Sequence, residues 1–346
     1  LNPESSSAAP ARLVIRAPNW LGDAVMALPA LGAVRAALPE TGIAIAALPS
    51  VAPLFEEGTG AAQDELIPIT SSTEIGVLAS GQFDAALLLP NSFRAAWAAR
   101  KAGIAERWGY RGNLRTWLLS RPVARPEGRV HQSTYYANLV RGIGIDVTDS
   151  LPRVSVVPQT DTRAKALLAQ YGVDGATSIV GFAPGAAGGH AKRWPPARVA
   201  DVITRLSATR RATCVLVGAA GDRDAAREIE SSLPPDARVV NLIGRTDLRL
   251  LAGVLARCDA FVSNDSGAMH LAAALGVPVI AIFGPTDDRV TAPPGGHDVL
   301  IHDVFCRPCM LRDCPIDHRC MKGITADAVF TAVSARLERA RGRSGE

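Results

Sequence analysis

Apolar positions recur along this chain in two alternating rhythms. The runs "RLVIRA" from Arg12, "GIAIAAL" from Gly42, "DELIPI" from Asp64 and "DAALLLP" from Asp84 are too short for helices and are bounded by turn residues, which predicts strands. Between the first two, "AVMALPALGAVRAAL" has helical spacing. The pattern restarts at Thr177: "TSIVGFAP" reads as a strand, residues 196–209 as a helix and "ATCVLVGA" as a strand. "DAFVSN" and "VPVIAIFG" add two more strands, with a helix from Gly267 to Leu275 between them. A last helix is predicted from Thr325 to Arg341. Strands alternating with helices imply parallel sheets covered on both faces.

At 346 residues and 48% apolar composition, the chain can fill about two domains of roughly 150 residues each. The rhythm breaks at "SLPRVSVVPQTDT", residues 150–162, which sets the expected domains at 12–155 and 156–346. Residues 1–11 read as an unstructured tail. They lack the charged and apolar regions of a signal peptide, and no apolar run reaches the ~18 residues of a membrane span, so a cytoplasmic protein is expected.

Parallel sheets bind ligands beyond the carboxyl ends of their strands. Four loops follow predicted strands in this way: Pro18–Asp23, Pro90–Arg94, Pro184–Trp194 and Asn264–His270. The first, in "RAPNWLGDAVM", has the layout of a phosphate loop but a single glycine, Gly22, and carries the carboxylate of Asp23 at the mouth of a helix. Asp23 reads either as a helix cap or as a proton acceptor. The third, "PGAAGGHAKRWPP", combines a glycine-rich turn with Lys192 and Arg193 and suits an anion. In the fourth, "NDSGAMH", Asp265 or Ser266 can cap a helix whose free N–H groups, at Gly267 and beyond, would receive a phosphate within reach of His270.

Net charge is +4, but nine Lys/Arg face only Glu106 and Glu127 between Asn91 and Val130, a local excess of +7. Such a stripe favours a polyanion. There is no nucleic-acid-binding module or matching aromatic pattern, so a phosphorylated glycolipid headgroup suits the charge better than nucleic acid.

Together "NWLGDAVMALPAL", "LPNSFRAAWAARKAGIAERWGYRGNLRTWLLS", "PGAAGGHAKRWP" and "NDSGAMHLAAALGVPVIAIFGPT" resemble the ADP-heptose:lipopolysaccharide heptosyltransferases, most closely the type II enzymes, from about residue 12 to 290. The resemblance implies a GT-B-like α/β fold, two facing Rossmann-like domains with parallel sheets, the acceptor on the N-terminal one and the ADP-sugar on the C-terminal one. It implies an inverting transfer of heptose from ADP-heptose to a heptosyl-Kdo2-lipid A acceptor at the inner leaflet of the inner membrane, with peripheral membrane association and no obligate protein partner. By the same resemblance Asp23 is the general base, and Lys192, Asp265, Ser266, Gly267 and His270 surround the diphosphate. Asp222 is placed for the ribose and Thr246 near the adenine. Asn91, Ser92 and Arg94 face the acceptor's anionic groups, with His131 and Tyr135 as further candidates.

The sequence departs from that pattern at "CRPCMLRDCPIDHRC". Cys306, Cys309, Cys314 and Cys320, with His318 nearby, form a Cys-rich insertion at 305–321 with metal-ligand spacing. A structural zinc ion, an iron–sulfur cluster, a disulfide or free thiols are all open readings. Two rival functions remain beside transfer: a nucleotide-sugar epimerase of the same fold, and a metal-binding or redox-sensing nucleotide-binding protein.

Overall fold

A computed structural model of the chain describes residues 9–148, 151–187 and 189–343. Most of the expected N-terminal tail, residues 1–8, lies outside the described residues. Its last residues are ordered: the Pro10 carbonyl accepts from Thr41 Oγ1 at 2.8 Å and the Ala11 carbonyl from the Gly42 N–H at 2.9 Å, which seats them against the neighbouring strand.

The chain divides into two compact units, residues 1–150 and 151–346. The strands of unit one are β1 (Arg12–Arg16), β2 (Gly42–Ala47), β3 (Glu65–Pro68), β4 (Ala85–Leu88), β5 (Glu106–Tyr110) and β6 (Arg121–Val123). Its helices are α1 (Leu21–Ala37), α2 (Glu74–Ser80), α3 (Phe93–Lys101) and α4 (Gln132–Arg141). Unit two contains the strands β7 (Ile179–Ala183), β8 (Thr213–Leu216), β9 (Val239–Asn241), β10 (Ala260–Asn264), β11 (Val279–Phe283) and β12 (Asp298–Ile301). Helices α5 (Pro158–Gln170), α6 (Pro196–Arg210), α7 (Arg223–Ser231) and α8 (Leu248–Leu255) come before α9 (Gly267–Ala274). Three more follow: α10 (Asp288–Thr291), α11 (Arg319–Lys322) and α12 (Ala326–Arg343).

Each unit carries a six-stranded sheet, ordered β3-β2-β1-β4-β5-β6 and β12-β11-β10-β7-β8-β9, with parallel pairing throughout. Counted within its own unit, each order is 3-2-1-4-5-6, so the fold class expected from the alternating pattern is the one observed. The central strands β7, β10 and β11 are buried at every position because helices cover both faces, which is why they read as unbroken apolar runs. The unit-two core joins Val180, Phe182 and Val262 of the sheet to Ile203 of α6 and Val329 and Val333 of α12. Sequence pattern missed β5, β6, β9 and β12. All are short and carry polar residues; β6, β9 and β12 are the end strands of their sheets, and β5 lies next to one. No helix among the described residues is long and apolar enough to cross a membrane.

A titratable group couples unit two to pH. His297 Nδ1 accepts the Val279 N–H at 3.2 Å, which requires a neutral ring nitrogen. Burial and then the Arg336 cation hold its pKa below 6.5 against the opposing pull of Asp298. As pH falls through about 6.5 the unfolded chain takes up this proton and the folded chain does not, so stability drops on the acid side and the contribution levels off below the folded pKa. His297→Asn, whose Oδ1 can accept the same bond, is expected to lose less Tm than the parent between about pH 7.5 and 5.5. Equal losses would assign the acid sensitivity elsewhere.

Candidate functional site

In a 3-2-1-4-5-6 sheet the connections leave in opposite directions from the two central strands, opening a crevice at their carboxyl ends. In unit one those strands are β1 and β4, and in unit two β7 and β10. The four loops singled out from the sequence are the four that follow these strands.

After β1, the buried Arg16 donates from Nε to Glu74 at 2.8 Å and from Nη2 to Asn19 Oδ1 at 2.8 Å, and also reaches the Ala17 carbonyl. This fixes the loop that enters α1. The cap of α1 is Trp20, in extended conformation and without a side-chain capping bond, so Asp23 lies in the first turn and is not the N-cap. Tyr136 of α4 donates its hydroxyl to Asp23 Oδ1 at 3.2 Å. Burial first, and the Asp23 charge second, raise the Tyr136 pKa far above 10, so it stays a donor at any working pH. Trp20, 62% exposed at the same loop, leaves an indole surface facing solvent. Tyr136→Phe is expected to lower kcat by roughly tenfold with little change in KM, because a carboxylate free to turn loses its alignment. An unchanged kcat would reduce the hydrogen bond to packing.

After β4, Asn91 donates to the Tyr135 hydroxyl at 2.8 Å and accepts from Arg115 at 3.2 Å, while Ser92 Oγ caps α3 through the Ala95 N–H at 3.2 Å. Arg94 reaches out beside Glu74, 3.7 Å away, and bonds the Ser71 carbonyl. His131, expected at the acceptor, caps α4 by accepting the Ser133 N–H at 3.2 Å. The basic stripe also needs correction. Arg115 is fully buried and spends its guanidinium on the Tyr110 carbonyl at 2.9 and 3.0 Å, the Pro90 carbonyl at 2.5 Å and Asn91; burial lowers its pKa to about 10. Arg107 bonds the carbonyls of Leu118, Ile104 and Ala105. Both are structural cations that hold this region together, leaving Arg94, Arg100, Lys101, Arg111, Arg121, Arg125 and Arg129 exposed.

In unit two, Asn264 at the end of β10 accepts the Trp194 N–H at 3.2 Å and donates to the Pro184 and Gly185 carbonyls at 2.9 and 3.1 Å. One buried amide thus fastens the glycine-rich loop at both ends. Sequence pattern marks Asn264 only as the start of a loop; the signal for this role is a lone amide ending an apolar strand. Ser266 is the cap of α9, accepting the Met269 N–H at 3.3 Å. Asp265 does not cap; it pairs with Lys192 Nζ at 2.8 Å. Gly267 opens α9 and His270 sits buried one turn in. Asp222, after β8, accepts the Ala219 N–H at 3.0 Å and lies 3.4 Å from Arg193. It also crowds Gly185, where a Cβ would fall 2.2 Å from its carboxylate, so only glycine fits there. Thr246 stands in the loop after β9, the outermost strand on that side.

The zinc or iron–sulfur site expected at Cys306, Cys309, Cys314 and Cys320 finds no support: among the described residues no group of three or more Cys, His, Asp or Glu side chains is arranged to hold a metal ion. Cys320 is turned into the core beside Gly284, and burial, with the neighbouring thiols of Cys306, Cys314 and Cys309 adding, raises its pKa. Cys314 Sγ accepts the His318 N–H at 3.3 Å. Hydrogen bonds do the fastening instead. Arg307 Nε donates to the Gly284 carbonyl at 2.9 Å and pairs with Asp288, and the Met310 N–H donates to the Pro285 carbonyl at 2.9 Å. The Arg312 carbonyl takes the Ala191 N–H at 2.9 Å, next to Gly189, whose φ of 120° and lack of room for a Cβ allow the approach. The Cys-rich segment therefore braces the turn that carries Lys192.

Comparison with known proteins adds an independent finding. The model of glycosyltransferase family 9 (heptosyltransferase) matches residues 76–319. Lipopolysaccharide heptosyltransferase 2 of Escherichia coli K12 is 32% identical over 307 residues, 84% of this chain and 87% of that one. Lipooligosaccharide heptosyltransferase 2 of Haemophilus influenzae is 33% identical over 234 residues, 64% of this chain and 66% of that one. The solved structure of the E. coli ADP-heptose lipopolysaccharide heptosyltransferase II superposes with a TM-score of 0.82 at 27% identity, covering 95% of this chain and 99% of that one. Since the family model spans most of the chain and a relative above 30% identity aligns over most of its length, this chain belongs to glycosyltransferase family 9, the heptosyltransferases.

Proposed function

We propose that this chain moves heptose from ADP-heptose to a heptosyl-Kdo2-lipid A acceptor of the lipopolysaccharide inner core, inverting the anomeric centre. The observation that carries the reading is the opposite chemistry of the two crevices. Unit two offers an ammonium, Lys192, beside the capped N-terminus of α9, and unit one offers a carboxylate, Asp23, aligned by a buried tyrosine. The first suits a departing diphosphate and the second an attacking hydroxyl.

In this reading Lys192 and the N–H groups at Gly267 receive the diphosphate, with Ser266 holding the helix end, Asp265 positioning Lys192 and His270 behind them. Asp222 meets the ribose and Thr246 the adenine side. Asp23 takes the proton of the acceptor hydroxyl as ADP leaves. Arg94 meets an acceptor carboxylate or phosphate, with Asn91 and Ser92 shaping its loop and His131 supporting it from α4. The acceptor is lipid-linked, which places the enzyme at the inner face of the inner membrane as a peripheral protein. Family membership favours transfer over both epimerisation and a metal or redox sensor.

The test is incubation with a panel of nucleotide-activated sugars and a delipidated heptosyl-Kdo2 saccharide, followed by mass spectrometry. Gain of one heptose from ADP-heptose alone is expected. Transfer from a UDP- or GDP-sugar, or isomerised donor without transfer, would overturn it.

A further inference from the structure

Unit one carries an exposed aromatic cluster with no role in the chemistry above. Phe93 and Trp97 of α3 stack with ring centroids 6.1 Å apart, and Trp117 packs against both at 6.3 and 6.5 Å. Trp117 is 60% exposed, Phe93 42%, and the nearby Leu114 87%. The segment is built to hold these side chains outward. Arg115 and Leu118 are fully buried and anchor it, while Leu114 and Trp117, on the alternate positions, face solvent. Leu114 has a φ of 56°, a left-handed conformation unfavourable for leucine that the anchored loop maintains.

Cations frame the cluster. Arg100 lies over Trp117 at 5.6 Å and Lys101 over Trp97 at 4.9 Å, and among the described residues neither has a carboxylate partner. Arg111 and Arg121 are exposed in the adjoining stretch. An apolar tip ringed by amphipathic indoles and unpaired cations matches the layers of an anionic bilayer: leucine for the acyl boundary, tryptophan for the headgroup level, and Arg and Lys for the lipid phosphates. A protein partner of acidic character would satisfy the cations but not the outward leucine.

We propose that the Leu114–Trp117 tip, with Phe93, Trp97, Arg100 and Lys101, docks the enzyme on the surface of a bilayer containing anionic phospholipid. The inference rests on the proposed function for its setting, since Phe93 lies between Ser92 and Arg94, and a lipid-linked acceptor would reach that loop from the bilayer. Each cation near an anionic surface contributes about fivefold to partitioning, and the contribution is screened by salt.

The experiment uses the full chain and sedimentation with vesicles of phosphatidylcholine alone or mixed with phosphatidylglycerol. Salt-sensitive binding to the mixed vesicles only is expected. It should weaken by about tenfold or more in Leu114→Ser/Trp117→Ser and in Arg100→Glu/Lys101→Glu, both at exposed sites. Transfer to the delipidated saccharide should be unchanged in both variants. No binding by the parent, equal binding by the variants, or equal binding to neutral vesicles would overturn the docking surface. So would loss of transfer to the delipidated saccharide, which would make the cluster part of the saccharide site, or a self-association that the variants abolish without any vesicle binding. Failure of the parent to transfer heptose would count against the proposed function and leave the vesicle result standing.

Discussion

Replacing Asp23 with asparagine is expected to lower heptose transfer by roughly 10²- to 10⁴-fold while ADP binding persists. Asparagine keeps the shape of the side chain, and its carbonyl oxygen can still accept from Tyr136, 3.2 Å away in the parent. What it loses is the capacity to take a proton. Because Trp20 occupies the cap of α1, the substitution removes no N-cap, and the helix should remain intact. Equilibrium ADP binding, thermal unfolding and initial rates on the same preparation separate these effects. Near-parental turnover in a folded variant would remove Asp23 from the chemistry.

Lys192→Ala is expected to weaken ADP-heptose binding and slow transfer together, lowering kcat/KM on the order of 10²- to 10³-fold. Two physical effects add. The ammonium that would neutralise the departing diphosphate is gone, and Asp265, which it pairs with at 2.8 Å, is left as an uncompensated negative charge near the N-terminus of α9. The second effect can be read separately, because Lys192→Ala/Asp265→Asn should recover part of the ADP affinity without recovering kcat. If affinity and turnover were both unchanged in Lys192→Ala, the phosphate site would lie elsewhere.

Much of this architecture was legible in the sequence because parallel strands buried on both faces leave continuous apolar runs, as in "IVGFA" and "VIAIF". The four loops followed from the same logic, since each comes after a central strand. Long-range pairing was not legible. Nothing local distinguishes Arg115, folded inward onto the Tyr110 and Pro90 carbonyls, from Arg111, which faces solvent, so a count of charges made one stripe of both. Tyr136 and Tyr135 look alike in "HQSTYY", yet α4 turns the first toward Asp23 and the second toward Asn91. Cysteine spacing suggested a metal, but spacing does not record that Cys320 points into the core or that Arg307 and Arg312 already fasten the segment.

In the reaction we propose, a single displacement, a unit-one carboxylate activates the acceptor as ADP departs. The most direct test is the anomeric configuration of the new heptosyl linkage, determined by NMR on product made from ADP-heptose and the heptosyl-Kdo2 saccharide. A linkage inverted relative to the donor, with one ADP released per heptose transferred, is predicted. A retained configuration, or ADP release without a new linkage, would contradict it.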